Sequence, residues 1–596
     1  MKSAPLRRGR TPPAAHHAAD GQDLFTRLRR GAWRALAAGP FYRHTLIGPV
    51  PSGLRLRLNE RWPGDAKRGG AILAGDLEFA GEMIRHPKPA WFPPSASPGW
   101  LAAWHGFGWL DDLIGVGATA RDPARALVQS WLAESGAWHP VAWRSDVAAT
   151  RVLAWIVHFD EIAGRETDRA LRRAMLASIA AQIRHLARVA AWELAGAARL
   201  RALKGLLAGS VALGGPERRI ARAMRALERE LPSQILPDGG HRTRSPSVQL
   251  QVLRDLIDIR AVLRGAKLEV PGTVQQTIER MAPMLRFFRH GDRRLALFNN
   301  SVEEDAVLVD LVLTRSDTRG HAPSQAPHAG FQRLQAGQSL VLVDVGKPPP
   351  RGFDGEAHAG LLSFELSQGR DRIVVNCGGY RGPKPAWRSV ARASAAHSVL
   401  VVDDTNAVEI QADGSIGRAP GSVRCERAEE GGHQWIAASH DGYRRRFGVS
   451  YARELYLSAD GDDIRGEDRL TGLPGVVFAV RFHLHPAVAA SLAEDGSGAL
   501  LRLPSGTAWR LRANGAELSL DDSIYLGSGE LRKTQQVVLS GRTGPNGATV
   551  RWAIRREPKP PEPKAEPAPE LKLAEPELTE PEPKPAPPAE GSDDGA

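Results

Sequence analysis

The chain has 596 residues, 42% hydrophobic and 24% charged, an ordinary soluble balance for a protein of several domains. No run approaches the roughly 18 apolar residues of a membrane-spanning helix, and two cysteines, Cys377 and Cys425, exclude a disulfide framework while leaving one bridge open. The formal charge is +12, but the last 40 residues carry −7, so the 556 before them carry +19 and suit an anionic partner: an acidic glycan, nucleic acid or a membrane surface.

Residues 1–21 are rich in Pro, Ala, Arg and His without periodicity, the composition of a disordered segment. Their basic residues are not followed by the apolar stretch of a signal peptide, so the cytoplasm is the expected location. From residue 22 a helical period sets in, with Leu24, Leu28, Trp33 and Leu36 on a first amphipathic helix. A Pro/Gly-rich interval (48–70) contains a short alternating piece, Leu54 to Asn59. From about 75 to 313 helix follows helix, punctuated by Pro93–Gly99, Gly214-Gly215-Pro216 and Leu236–Gly240. The segment 165–192 is Ala-rich, a strong helix former. After Pro246, the residues Val252, Leu256, Ile259 and Leu263 make one stripe. Short connections between such helices predict an array over 22–320, either closed into a toroid or open as a solenoid.

The period changes across a loop at 316–330. Strands are expected at 339–345, 361–366, 372–377, 397–403, 451–457, 477–485 and 535–539. In 477–485, Phe478, Val480, Phe482 and Leu484 share one face, and Arg481, His483 and His485 the other. Helices first and strands second make an α+β protein with an antiparallel β-sandwich over 325–556. The segment 557–596 holds 12 prolines amid Glu, Lys and Ala and reads as an extended, disordered tail.

Four motifs concentrate residues able to do chemistry: Asp238-Gly-Gly-His-Arg-Thr-Arg-Ser-Pro246, His358-Ala-Gly-Leu-Leu-Ser-Phe364, Val375-Asn-Cys-Gly-Gly-Tyr380 and Arg392-Ala-Ser-Ala-Ala-His397. Together with the order of helices and strands, they resemble the heparinase II/III family of polysaccharide lyases over about residues 25–555. The resemblance implies an (α/α) toroid, complete or partial, followed by an antiparallel β-sandwich. An acidic polysaccharide would bind between them and be cleaved by β-elimination. It also implies a place in the periplasm or cell envelope, against the missing signal peptide.

Elimination from a uronate removes the C5 proton and expels the oxygen at C4. It needs a base, an acid and groups that neutralise the carboxylate. The family pattern is an Asn and a His in the helical half, a Tyr soon after Ser-Pro, and a His from the sheet half. Here Ser245-Pro246 is followed by Ser247-Val248-Gln249. Trp192-Glu193-Leu194 stands near the expected Asn-His, and Tyr42 is the sole tyrosine of the helical half. The remaining proton-transfer candidates are His241, Tyr380 and His397. Arg242, Arg244, Asn299, Asn300 and Arg388 are candidates for binding substrate.

Some members carry a metal triad, which the resemblance places at His358, Asn376 and His397. Asn376 supplies a neutral amide where zinc prefers a carboxylate. Elimination itself requires no cofactor, and a zinc here would be structural. Asp111-Asp112 and Glu303-Glu304-Asp305 read as solvated faces or caps rather than a hydrolase pair, and no nucleic-acid-binding motif is recognised. Two function classes follow: a lyase, or a glycan-binding or envelope-associated protein without catalysis on the same scaffold.

Overall fold

The computed structural model describes residues 20–39, 41–58, 61–86, 90–134, 138–164, 168–494, 496, 498–558, 582, 584 and 586. The disorder expected for the first residues and for most of the tail falls outside them. Met1–Glu557 is one compact unit and Pro558–Ala596 a second.

In the first unit, helices fill the chain to Arg315. The principal ones are Asp20–Ala38, Pro98–Gly106, Arg121–Glu134, Ser145–Val157, Arg169–Val189, Gly196–Ala212, Glu217–Gln234, Pro246–Gly265, Gly272–Phe287 and Ala306–Arg315. Their starts follow local chemistry. Ser97 Oγ accepts the Trp100 N–H at 3.2 Å ahead of Pro98, and Asp305 Oδ1 accepts the Val307 N–H at 2.7 Å. Val252, Leu256, Ile259 and Leu263 are all buried, as their stripe requires. Where helix Gly196–Ala212 crosses Ser145–Val157, a Cβ on Gly205 would lie 2.4 Å from that of Ala149, so the crossing depends on glycine. Buried Trp91, Trp104, Trp109 and Phe107 stack at centroid distances of 4.7–5.4 Å, filling one end of the helical core.

Among the described residues one strand pair lies within the helical half. Asp76–Phe79 and Glu82–Arg85 pair as a hairpin through Ala80 and Gly81, both at positive φ. Four-residue strands are too short to show a period. The piece Leu54–Leu58 alternates but forms no strand. Leu28 and Leu36 are each 64% exposed, so the first helix presents part of its stripe to solvent instead of burying it.

From Gln325 onward the structure is antiparallel sheet. The larger sheet runs in the order 517–525, 532–542, 477–484, 371–375, 364–368, 339–344, 331–336 and 325–326, with 400–402 also paired to 477–484. The second has eight strands: 489–492, 498–502, 508–514, 548–556, 463–472, 449–457, 433–440 and 423–430. Apolar inner faces of both sheets form one core, including Phe364, Tyr451, Phe482 and Trp552. The alternation expected at 478–484 is present, and His483 turns to Ser523 Oγ at 2.7 Å and the Ala395 carbonyl at 2.9 Å. Strand 423–430 lacks apolar alternation because it is an edge strand. Cys377 and Cys425 are both free.

Candidate functional site

The four motifs meet where the helical half joins the sheets. The turn before helix Pro246–Gly265 is set by Gly239 at φ +84°, where a Cβ would lie 2.1 Å from the Arg280 carbonyl oxygen. Asp238 reaches the sheet half, its Oδ2 accepting the backbone N–H groups of His328 and Ala329 at 2.9 and 2.7 Å. Gln249 pins the turn from behind. Its Oε1 accepts the His241 N–H at 2.7 Å and its Nε2 donates to the carbonyls of Gly239 and Met281 at 2.9 and 3.0 Å.

His241 is buried in this turn. Its Nε2 donates to Gln234 Oε1 at 3.1 Å, and its Nδ1 accepts from Thr243 Oγ1 at 2.8 Å. Burial, reinforced by the charge of Arg242, pushes its pKa down to about 3. Arg242 lies half-buried, its guanidinium 6.0 Å from the Phe353 ring centroid. Arg244, expected as a substrate clamp or a solvated charge, is a buried internal clamp. It holds the carboxylate of Asp344 and donates to the carbonyls of Ala329, Gly330 and Lys347 at 2.7, 3.0 and 2.9 Å.

Asn299 and Asn300 follow, both with positive φ. Asn299 donates to the Arg244 carbonyl at 3.0 Å and accepts the His358 N–H at 3.1 Å, joining the two halves through one amide. Asn300 donates to the Glu356 carboxylate. The next residue, Ser301, bonds Ser245 Oγ at 2.8 Å and accepts the Ser247 N–H at 3.1 Å. A Cβ on Gly379 would lie 2.5 Å from the Asn300 carbonyl carbon, so the Gly378-Gly379 turn seats this loop.

His358 and His397 are both buried, with His358 Nδ1 3.1 Å from His397 Nε2. His397 Nδ1 lies 2.8 Å from the Ala393 carbonyl and must donate to it. That fixes the tautomers: His397 Nε2 accepts from His358 Nδ1–H, and His358 Nε2 carries a lone pair. Burial lowers His397 to about 4, and burial with the neighbouring His397 and Arg392 takes His358 well below the ordinary imidazole value. Tyr380 and Arg388 stand apart from these groups. Tyr380 is half-buried with its hydroxyl accepting the Lys384 N–H at 3.4 Å, and Arg388 is exposed on helix Pro385–Arg392.

The donor set can be compared with the needs of zinc. His397 Nε2 is taken by His358. Asn376 Oδ1 accepts the Ser398 N–H at 3.1 Å, and its Nδ2 donates to Glu365 at 3.3 Å. One lone pair, on His358 Nε2, is left without a partner among the described residues. Three neutral donors, two already spent, do not fit a zinc ion. Among the described residues no group of three or more His, Cys, Asp or Glu is placed to hold a metal.

The seam also contains ions that were not anticipated. Glu365 lies in a fully buried strand, accepting from His290 at 3.0 Å and from the Leu297 N–H at 3.0 Å. A carboxylate inside the apolar run Phe364-Glu365-Leu366 was the available signal. Arg372 pairs with Asp292 at 2.8 Å. Glu303 at the seam and Asp112 within the helical half, both read as solvated, are buried instead. Glu303 accepts from Tyr525, and Asp112 pairs with Arg68 at 2.6 Å. Burial raises the Glu303 carboxyl, but His485, Arg372 and Tyr525 together outweigh that and hold it at about 2.

Comparison with known proteins agrees with this architecture. Residues 318–558 match the family described as heparinase II/III-like, C-terminal. FtsZ-localized protein C of Caulobacter vibrioides (strain NA1000 / CB15N) is 30% identical over 575 residues, covering 89% of this chain and 97% of that protein. A heparinase III crystal structure superposes with a TM-score of 0.64 at 12% identity, over 90% of this chain and 92% of that one. Heparan sulfate lyase HepC from Pedobacter heparinus does so at 0.55 and 16% identity, over 91% and 92%. These structures share the fold: a helical N-terminal half followed by antiparallel sheets. The chain belongs to the heparinase II/III-like family.

Proposed function

We propose that this chain is a non-catalytic member of the family that binds an acidic polysaccharide, and that it acts at the division site. The carrying observation is that His241 and His397 are sealed inside the protein with both ring nitrogens spent on internal hydrogen bonds. Their low pKa values, about 3 and about 4, make them weak bases for a C5 proton. Arg244, the best-shaped carboxylate clamp, is already filled by Asp344. Glycan binding is supported by the +19 of the first 556 residues and by the polysaccharide-cleaving proteins that share the fold. The division-site role rests on the relative named for its localisation with FtsZ.

The deciding experiment follows ultraviolet absorbance of the full chain with heparan sulfate, heparin, chondroitin, hyaluronan, alginate and polyglucuronate. A flat trace with binding retained by at least one glycan supports the reading. A rising trace would overturn it, and loss of that trace in Tyr380→Phe would assign the elimination to the half-exposed Tyr380 phenol. A fluorescent fusion that fails to gather at the division plane would remove the second half of the proposal.

A further inference from the structure

The eight-stranded sheet has an outer face that its own sequence treats unusually. In strand His433–His440, Ile436, Ala438 and His440 point inward and are buried, while Trp435 points outward and is 37% exposed. Register aligns Trp435 with Ala428 on one side and Tyr456 on the other. Tyr456 is aligned with Arg465, Arg465 with Ala553, and Ala553 with Arg512. These six residues form one cross-strand row, and all of them line a trough of about 820 Å³. At about 4.8 Å between strands the row spans about 24 Å, several pyranose units long.

The row is differentiated along its length. At one end Trp435 and Tyr456 stand 5.4 Å apart between ring centroids, inclined at 46°. Tyr456 is braced from behind, stacked on His433 at 5.7 Å and hydrogen-bonded to its Nδ1 at 2.7 Å. Arg465 lies 5.3 Å from the Tyr456 centroid. Alanines at 428, 437 and 553 keep the floor low between the larger groups. At the other end Arg512 is exposed, and its side chain makes no ion pair or hydrogen bond with any described residue. Arg551, opposite Asn514 on the same strand pair, keeps 73% of its side chain exposed while touching Glu467.

We propose that this face is a binding strip for a single chain of an acidic polysaccharide. Pyranose rings stack on Trp435 and Tyr456, and carboxylate or sulfate groups pair with Arg512 and Arg551. Aromatic faces suit the C–H side of a sugar ring, and a guanidinium fork suits a planar carboxylate. The apolar content is two rings and a few methyl groups, without the aliphatic cluster that anchors a protein partner. The trough mixes signs, with Glu426, Glu454 and Glu467 beside Arg465, Arg512 and Arg551, and the unpartnered side chain of Arg512 marks the end that takes an anionic group. The inference rests on the glycan-binding reading above and relocates the contact from the sealed seam to the outer sheet.

The test measures binding of fluorescent heparan sulfate, hyaluronan and alginate to the full chain. Trp435→Ala and Arg512→Glu are compared with Arg222→Glu, a charge-matched change on an exposed position of helix Glu217–Gln234. Trp435→Ala and Arg512→Glu should each weaken binding about tenfold, and Arg512→Glu should also flatten the salt dependence. Arg222→Glu should bind as wild type. Arg512 is exposed, so its variant reads out the strip even if Trp435→Ala unfolds. Wild-type binding that neither variant weakens would overturn the strip and leave the glycan reading standing. Equal losses in all three variants would show diffuse charge attraction and also overturn the strip. No binding of any probe by the wild type would overturn the glycan reading itself.

Discussion

His358 and His397 are bonded to each other, Nδ1 to Nε2, at 3.1 Å beneath the junction of the two halves. The bond makes each imidazole a structural support for the other. Replacing His397 by Ala leaves the His358 donor without an acceptor in a buried place. The expected cost is about 1–3 kcal/mol of stability, with glycan binding unchanged. Urea unfolding of the variant beside a binding isotherm measures both.

Stability should fall on mild acidification. His241, His397 and His483 have folded pKa values of about 3, 4 and 3, below the ordinary 6.5. A group with a depressed folded pKa stabilises the fold fully above its unfolded pKa. Here that contribution is lost as pH drops from 6.5 toward 3. The slope is at most about 1.4 kcal/mol per pH unit for each histidine. Glu303, depressed to about 2 from 4.5, adds a second loss in the window between those values. Melting temperatures across pH 3 to 8, in steps, give the profile; a flat profile would contradict the buried neutral imidazoles.

The Arg244–Asp344 pair joins residues 100 positions apart across the seam. Arg244→Ala should cost about 3–5 kcal/mol, because it strands a buried carboxylate. Arg244→Met with Asp344→Leu should recover most of that loss. A double-mutant cycle by denaturant unfolding checks the coupling.

Gly205→Ala should destabilise by about 1–3 kcal/mol through overpacking, because the new methyl meets Ala149 where the helices cross. Removing the Ala149 methyl should not relieve it, because the Ala149 Cα and carbonyl oxygen lie 2.5 and 2.9 Å from the added Cβ. Thermal unfolding of Gly205→Ala and of Gly205→Ala with Ala149→Gly would show whether the second change restores stability.

The order of helices and strands was legible because it is written in short-range periodicity. The stripe at 252, 256, 259 and 263, and the alternation at 478–484, each declare a period and a buried face. The hairpin at 76–85 was not, since four-residue strands complete too few alternations. The ions were the least legible part. Arg244, Asp112 and Glu303 look solvated in a sequence, and their partners Asp344, Arg68 and Tyr525 lie far off along the chain. Of the candidate site, His241, Asn299, His358 and His397 could be named from the motifs that hold them, each in a different role. The sequence did not reveal that Gln249 and Asn299 use up the polar groups around them, because hydrogen-bond saturation is a property of packing. Gln249 lies in the stretch after Ser245-Pro246 where the resemblance implied a tyrosine, and no local pattern marks it as the pin of the turn.

Seams made of apolar contact can slide, since one methyl group serves as well as its neighbour. The junction at Arg244–Asp344, Arg372–Asp292 and His290–Glu365 has no such tolerance. Each bond loses its value within about an ångström, while the charges it leaves behind stay buried. The joint therefore has one seating in which all three pairs are made at once.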